Sequence, residues 1–297
     1  MKKALIVLVV VAAILTALFF AFKTKEGPIQ LVYKFKPGQV DNYRTNTTMK
    51  MDSPGFFGGS GSSTTMKTVM TMTQKVVKVN RDGSARIEYR INVRSGGGGP
   101  FGMPPLLGEP YQMTVNKYGK VTDSKDIKRI MSRMGGALPG MDFSPSSQMN
   151  MGSMLPSRGV AVGQTWTEPV PFPMGGGQIT DTATLVADDY KLGTRKVCKI
   201  DHNYDGKIDL AEMMRSMPKS VMPMQISGEM ILTGSGTIYF SRSEGKIIKS
   251  VDIGKMNTKM VFGKAPGAGG SSTGAAMTMD MVAETKSTTN LVEKKGP

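Results

Sequence analysis

The segment Asp201–Glu212, DHNYDGKIDLAE, has the lettering of a twelve-residue calcium loop. Asp201, Asn203, Asp205, the Lys207 carbonyl, Asp209 and Glu212 stand where an EF-hand supplies oxygens to a hard cation, and Gly206 falls where such a loop turns sharply. Two features oppose that reading. The preceding GTRKVCKI carries β-branched residues and a Gly in place of a helical stripe, and Tyr204 occupies a position that is usually small or polar. A strand explains the same letters. Cys198, Ile200, His202, Tyr204, Gly206, Ile208 and Leu210 form one row, and Lys199, Asp201, Asn203, Asp205, Lys207 and Asp209 form the other. Strict alternation puts an apolar row inside and a wet row outside, and acids on a wet row reproduce the odd-numbered ligand spacing without any ion. The strand is therefore expected, with Gly206 marking a bulge or bend. The calcium loop is the alternative, with a weak strand-borne ion contact by Asp201, Asn203 and Asp205 as a lesser form of it.

His202 is the sole histidine and lies in the apolar row without a spaced partner, so catalytic or metal duty is not expected of it. Methionine is the compositional oddity, with 26 residues, several in Met-x-Met pairs: Met49/Met51, Met70/Met72, Met149/Met151, Met222/Met224 and Met277/Met279/Met281. On a strand each pair points to one face. Thioethers are soft ligands suited to Cu(I), but these pairs are spread along the chain and lack histidine. The plainer reading is adaptable apolar packing. No nucleophile elbow, phosphate loop, CxxC or zinc spacing is present. No catalytic residue and no cofactor is expected, and an enzyme built from scattered Asp and Glu stays as a further alternative.

Period two dominates the elements that carry these residues. Ile29–Phe35 opens a strand that Pro37-Gly38 turns. Met66–Val79, NRDG and Ala85–Val93 make a hairpin. Tyr111–Val115 with Lys120–Thr122, and Thr237–Phe240 with Lys246–Ile253, make two more. Thr180–Val186, Arg195–Leu210, Glu229–Leu232, Thr258–Phe262 and Met277–Val292 complete the set. Helix is confined to Lys125–Met134, capped by Ser124, and a turn or two over Ala211–Met217. The fold class is mainly β. Strands as long as Met66–Val79 and Arg195–Leu210 suggest a curved antiparallel sheet, a half-barrel or barrel that encloses a cavity, with a filled core as the competing outcome.

Residues 1–26 stand apart. Ala4–Phe22 is uncharged, flanked by lysines, and long enough to span a bilayer as a helix. It reads as an uncleaved anchor with the main domain on the extracytoplasmic side of the inner membrane. A cleaved signal peptide is the alternative, although a small-x-small cleavage site is missing. Residues 27–297 then form one large β domain, possessing a single cysteine, Cys198, and so no internal disulfide. The net charge of +15 suits an anionic envelope polymer or lipid surface. No basic–aromatic interleaving points to nucleic acid. Gly-, Pro- and Ser-rich connectors cover 53–65, 95–110, 135–159 and 263–275. Two pseudo-repeats, 29–134 and 160–292, are suggested by ordered echoes: KPGQVDNYRT with AVGQTWTEPV, DGSARIEYRINV with LGTRKVCKIDHNY, and YQMTVNKYGKVTDS with TIYFSRSEGKIIKS.

LVYKFKPGQ, LPSRGVAVGQTW and GSGTIYFSRSEGKI together resemble a family of uncharacterised exported bacterial β proteins over most of residues 30–292. The resemblance is structural: in VGQTW it implies a turn at Gly163 and a core anchor at Trp166. By architecture the chain is also similar to the half-barrel of lipoprotein carriers, a likeness of fold only. The expectation is a membrane-anchored, exported, non-catalytic protein that binds an apolar or amphipathic ligand, a lipid for example, or an envelope partner.

Overall fold

The computed structural model describes residues 27–53, 62–95, 110–123, 155–171, 177–215, 226–262 and 277–292. The expected anchor at 4–22, the helix at 125–134 and Met149, Met151, Met222 and Met224 lie outside the described residues. Among the described residues no helix is long and apolar enough to cross a membrane.

Among the described residues, alternation of side chains builds eleven strands: β1 (Val40–Ser53), β2 (Ser62–Val79), β3 (Ala85–Ser95), β4 (Tyr111–Val115), β5 (Val121–Asp123), β6 (Thr165–Pro171), β7 (Gly177–Leu192), β8 (Arg195–Asp209), β9 (Ile226–Ser241), β10 (Lys246–Phe262) and β11 (Met277–Val292). One short helix, α1 (Leu210–Arg215), follows β8. All the strands lie in one open antiparallel sheet of order β5-β4-β3-β2-β1-β11-β10-β9-β8-β7-β6. Each half of the chain is a meander, and β1 pairing with β11 joins the two at the centre.

Several expectations need correction. Ile29–Phe35 is not a strand; it makes only a bridge from Ile29 to Val160. β1 has no counterpart among the expected strands. Gly206 causes no bulge, since the register with β7 and β9 runs through it unbroken. It is small because a Cβ there would meet Ile179 Cγ1 at 2.9 Å and the Gln178 carbonyl oxygen at 3.0 Å.

The stretch from Ile29 to Gln39 is a strap across one end of the sheet. Ile29 exchanges backbone hydrogen bonds with Val160 at 2.8 and 2.9 Å. Tyr33 N–H donates to Lys117 O in the β4–β5 turn, and Lys34 N–H donates to Gly245 O in the β9–β10 turn, at 2.8 and 3.0 Å. Consecutive residues therefore hold two turns whose nearer strands, β4 and β10, are five strand spacings apart in the sheet order. That is about 24 Å along a flat sheet. The sheet must bend toward the strap to allow it. Leu31 joins the cluster of Trp166, Leu185, Ile200, Ile238 and Phe240, while Phe35 packs on the cluster of Val76, Ile87, Tyr89 and Met113. Tyr33 links the two, stacked on Phe35 at 5.9 Å and edge-on to Phe240 at 5.5 Å. Both clusters lie on one face, which is the concave one.

The two halves repeat their local hydrogen bonds. Gly38 N–H donates to Val76 O and Val76 N–H to Gln39 O; Gly163 N–H donates to Leu185 O and Leu185 N–H to Gln164 O. Gln39 Oε1 accepts from Lys36 N–H, and Gln164 Oε1 from Ala161 N–H. Both glycines have positive φ, 77° and 85°, the left-handed region that glycine enters without strain. A bulge follows Val76 in one half and Leu185 in the other. Val76 thus matches Leu185, and Ile87 matches Ile200.

The strap predicts a stability phenotype. Leu31→Ala, at a fully buried position, is expected to cost about 2–5 kcal/mol, read as a lower urea midpoint. Gln30→Ala, on the exposed side, should stay within about 0.5 kcal/mol. Equal effects from the two would show that the strap does not hold the floor.

Candidate functional site

Each rung of the sheet continues across several strands, so the inner face can be read level by level. Nearest the strap it is an apolar floor, with Leu31, Leu185, Phe240 and Cys198 fully buried. Burial pushes the Cys198 thiol up to about 11, so it is a small reduced hydrophobe. The next rungs are polar. His202, Gly236, Asp252, Ser287, Thr47 and Thr68 share one level by register across β8, β9, β10, β11, β1 and β2. Thr45 and Thr289 bond hydroxyl to hydroxyl at 2.9 Å just below. Beyond this belt the face turns to methionine. Met49 stands opposite Met66, Met51 and Met256 flank Ala283 from either side, and Met260 stands opposite Met279. With Met70, Met72, Met230 and Met281, ten half-buried methionines share this face among the described residues, besides Met113, which is fully buried in the floor.

The outer face is of opposite character. Its rows carry Arg44, Asn46, Thr48 and Lys50 on β1, Lys249, Lys255 and Lys259 on β10, and Glu284 and Lys286 on β11. A membrane-spanning barrel turns apolar side chains outward, and this sheet turns them inward. A depression of about 450 Å³ on the outer side is lined by Lys207, Glu229 and Lys259, where Lys207 and Glu229 already pair.

The belt holds a charge cluster built around a buried imidazole. His202, 1% exposed, brings Nδ1 within 3.2 Å of Asp181 Oδ1 and Nε2 within 3.0 Å of Asp252 Oδ1. A ring that donates at both nitrogens is an imidazolium. Burial pulls its pKa down, but the hydrogen bonds and charges of Asp181 and Asp252 outweigh that and lift it to about 9. The neighbouring Tyr204 ring lies across the strands where side chains are missing. A Cβ on Gly234 would sit 2.2 Å from its Cζ, and one on Gly254 would sit 2.3 Å from its hydroxyl. Gly236 clears the space for His202 and Asp252 in the same way, with a Cβ there 2.5 Å from each. These glycines are gaps into which the two rings fit.

The residues of the calcium alternative are placed otherwise. Asp201, Asn203, Asp205 and Asp209 are strung along the outer row of β8, about 26 Å from first to last at the usual rise. Asp201 accepts hydrogen bonds from Thr237 Oγ1 at 2.7 Å and Lys199 Nζ at 3.3 Å. Asp209 caps α1, accepting from Ala211 and Glu212 N–H. Glu212 follows on that helix. The structure does not gather them about a point. Sequence reasoning places His202 inside but misses its partners, which lie 21 and 50 residues away. A signal exists: Asp181 is in phase with Ile179, Ala183 and Leu185.

No family model matches the chain, and no curated protein matches it. Among solved structures it is similar to two mutants of Rh. blastica porin. One, a triple mutant, gives 7% identity and a TM-score of 0.22 over 86% of this chain and 100% of that one. The other, a double mutant, gives 8% and 0.22 over 86% of this chain and 99% of that one. Likenesses at that score carry no argument about fold or activity.

A raised histidine makes stability depend on pH in a known direction. Unfolded imidazole titrates near 6.5 and folded His202 near 9. Its contribution is present in full below pH 6.5 and is lost as pH rises through 9, a difference of at most about 3 kcal/mol. The urea midpoint of the wild type should fall across that window, and His202→Gln should flatten the slope. A wild-type midpoint that holds constant from pH 6.5 to 9.5 would disprove the imidazolium.

Proposed function

We propose that this chain is a non-catalytic, membrane-anchored exported protein whose curved sheet, a half-barrel closed at one end by the strap, holds an apolar or amphipathic ligand against its inner face. The observation that carries this reading is the set of ten half-buried methionines on one face. Thioether side chains are unbranched, polarizable and readily repacked, which suits a ligand of variable shape. Their half-burial leaves apolar surface that no described residue covers, on a sheet whose outside is charged. Against catalysis stands the only imidazole, which has both nitrogens engaged with carboxylates and no lone pair left to activate a nucleophile. The anchor at 4–22 and the extracytoplasmic location belong to the same proposal and rest on the sequence.

Binding is tested with cis-parinaric acid, whose fluorescence rises in an apolar site, and by native mass spectrometry of the full chain after mild extraction. A saturable rise is expected, together with a copurifying lipid-sized mass. Met256→Asp should weaken dye binding about tenfold or more by placing a charge on the wall, whereas Met256→Leu should keep it within about threefold. Equal binding by wild type and Met256→Asp would place the dye elsewhere and refute the site.

A further inference from the structure

The repeat in the fold allows the charged belt to be compared with its own counterpart. With Val76 matched to Leu185 and Ile87 to Ile200, the places of Asp181, His202 and Gly236 are held in the first half by Met72, Tyr89 and Tyr111. There Tyr89 stacks on Tyr111 at 5.5 Å, so the places of His202 and Gly236 are filled without charge, and the acid on that rung, Asp41, stands two strands away at the place of Trp166. The fold does not require ions at those places. Burying two carboxylates and an imidazolium carries a desolvation cost that an apolar filling avoids, so the second half has a reason of another kind for keeping them.

The sign of the charge suggests that reason. Above the floor, the inner rows of the described residues carry three acids, Glu168, Asp181 and Asp252, and one base, His202. The belt is anionic even with His202 charged, inside a chain of net charge +15. Asp181 is closed off, but the Asp252 side chain is 26% exposed toward the interior. It takes His202 on Oδ1 and the Ser250 hydroxyl on Oδ2 at 3.1 Å, and a carboxylate has lone pairs to spare beyond these. The Tyr204 ring lies beside it, a π-face of the kind that attracts cations.

An independent feature of the same face also points to a ligand. Thr258, six residues along β10 from Asp252, is 3% exposed and its Oγ1 has no hydrogen-bond partner among the described residues. It stands between Met230 and Met281 by register. A buried hydroxyl left unpaired is costly, and a polar group on a bound molecule would relieve it. Asp252 and Thr258 are about 20 Å apart along the strand, with the methionine wall between them.

We propose that the ligand is a cationic amphipath: its ammonium or other positively charged head lies against Asp252 and Tyr204, and its apolar part runs along the methionine wall, with a second polar group where the molecule reaches Thr258. This rests on the binding reading above and adds the chemistry of the head group. It runs against the overall charge of the protein, which by itself would favour anionic amphipaths.

The test is calorimetric titration of the full chain, below micelle formation, with three twelve-carbon probes that differ only in the head: dodecylamine, dodecanol and dodecanoate. The ammonium is expected to bind about tenfold or more tighter than the carboxylate. Asp252→Asn should reduce that ratio to about threefold or less while leaving dodecanol affinity within about twofold, and Glu168→Gln should reduce it in part. The wild-type ranking needs no variant to fold. Equal affinity for ammonium and carboxylate, or a preference for carboxylate, would overturn the head-group assignment and leave the apolar wall standing. Failure of all three probes to bind would overturn both.

Discussion

Everything on the inner face depends on the strap. A sheet in which each strand pairs only with its neighbours in a meander can twist, but nothing in those pairings makes it enclose a space. Tyr33 and Lys34 supply the missing constraint by bonding to the β4–β5 and β9–β10 turns from adjacent residues. Their side-chain neighbours Leu31 and Phe35 pack into separate apolar clusters on one face, so burial and backbone bonding favour the same bend. The second half contributes a similar piece, with Leu155 N–H donating to Tyr118 O and Val160 pairing with Ile29. Once that end is fixed, the other levels follow from register alone.

The long strands and their turns are legible in the sequence because their inner rows are apolar and their outer rows charged. Met277–Val292 is legible to its ends, and Arg195–Leu210 to within a residue. What escapes is of two kinds. β1 reads VDNYRTNTTMKMDS, and beyond Tyr43 threonines and other polar residues fall in both rows, so no clear apolar/polar alternation marks it. β9 and β10 read as fragments because Gly228, Gly234, Gly236 and Gly254 look like breaks. Three of these are instead the room needed by His202 and Tyr204, a tertiary demand invisible in a local window. The buried ion cluster is hidden for the same reason: its members come from β7, β8 and β10, and only the sheet order makes them neighbours. The calcium lettering is the converse case, a local pattern that an extended strand spells without forming the site.

The comparison between halves separates what the fold requires from what it merely permits. The Gly-Gln turns, the bulges and the paired apolar rungs occur twice, so they are the scaffold. The places held by Met72, Tyr89 and Tyr111 in one half hold Asp181, His202 and Gly236 in the other, so their content is free to serve something else. The difference is not one of simple polarity, since Asp41 of the first half carries its own charge, paired across the halves with Lys246 at 2.8 Å. That pair is closed by opposite charges at the floor. The second-half cluster is left with excess negative charge and one partly open carboxylate.

The order of the levels is the last constraint on what the interior can accommodate. In a simple apolar cavity the deepest wall is the most apolar, and a bound amphipath keeps its head at the mouth. Here the belt of Asp252, Ser250, Ser287, Thr47 and Thr45 lies between the apolar floor and the methionine wall, below the greater part of the apolar surface. A molecule seated against that wall meets polar groups at its inner end, and only a ligand with a hydrogen-bonding or charged group there avoids leaving them unpaired. A purely apolar chain would cover the methionines and strand the belt. The layering therefore selects for two-part molecules before any contact with a particular side chain is considered.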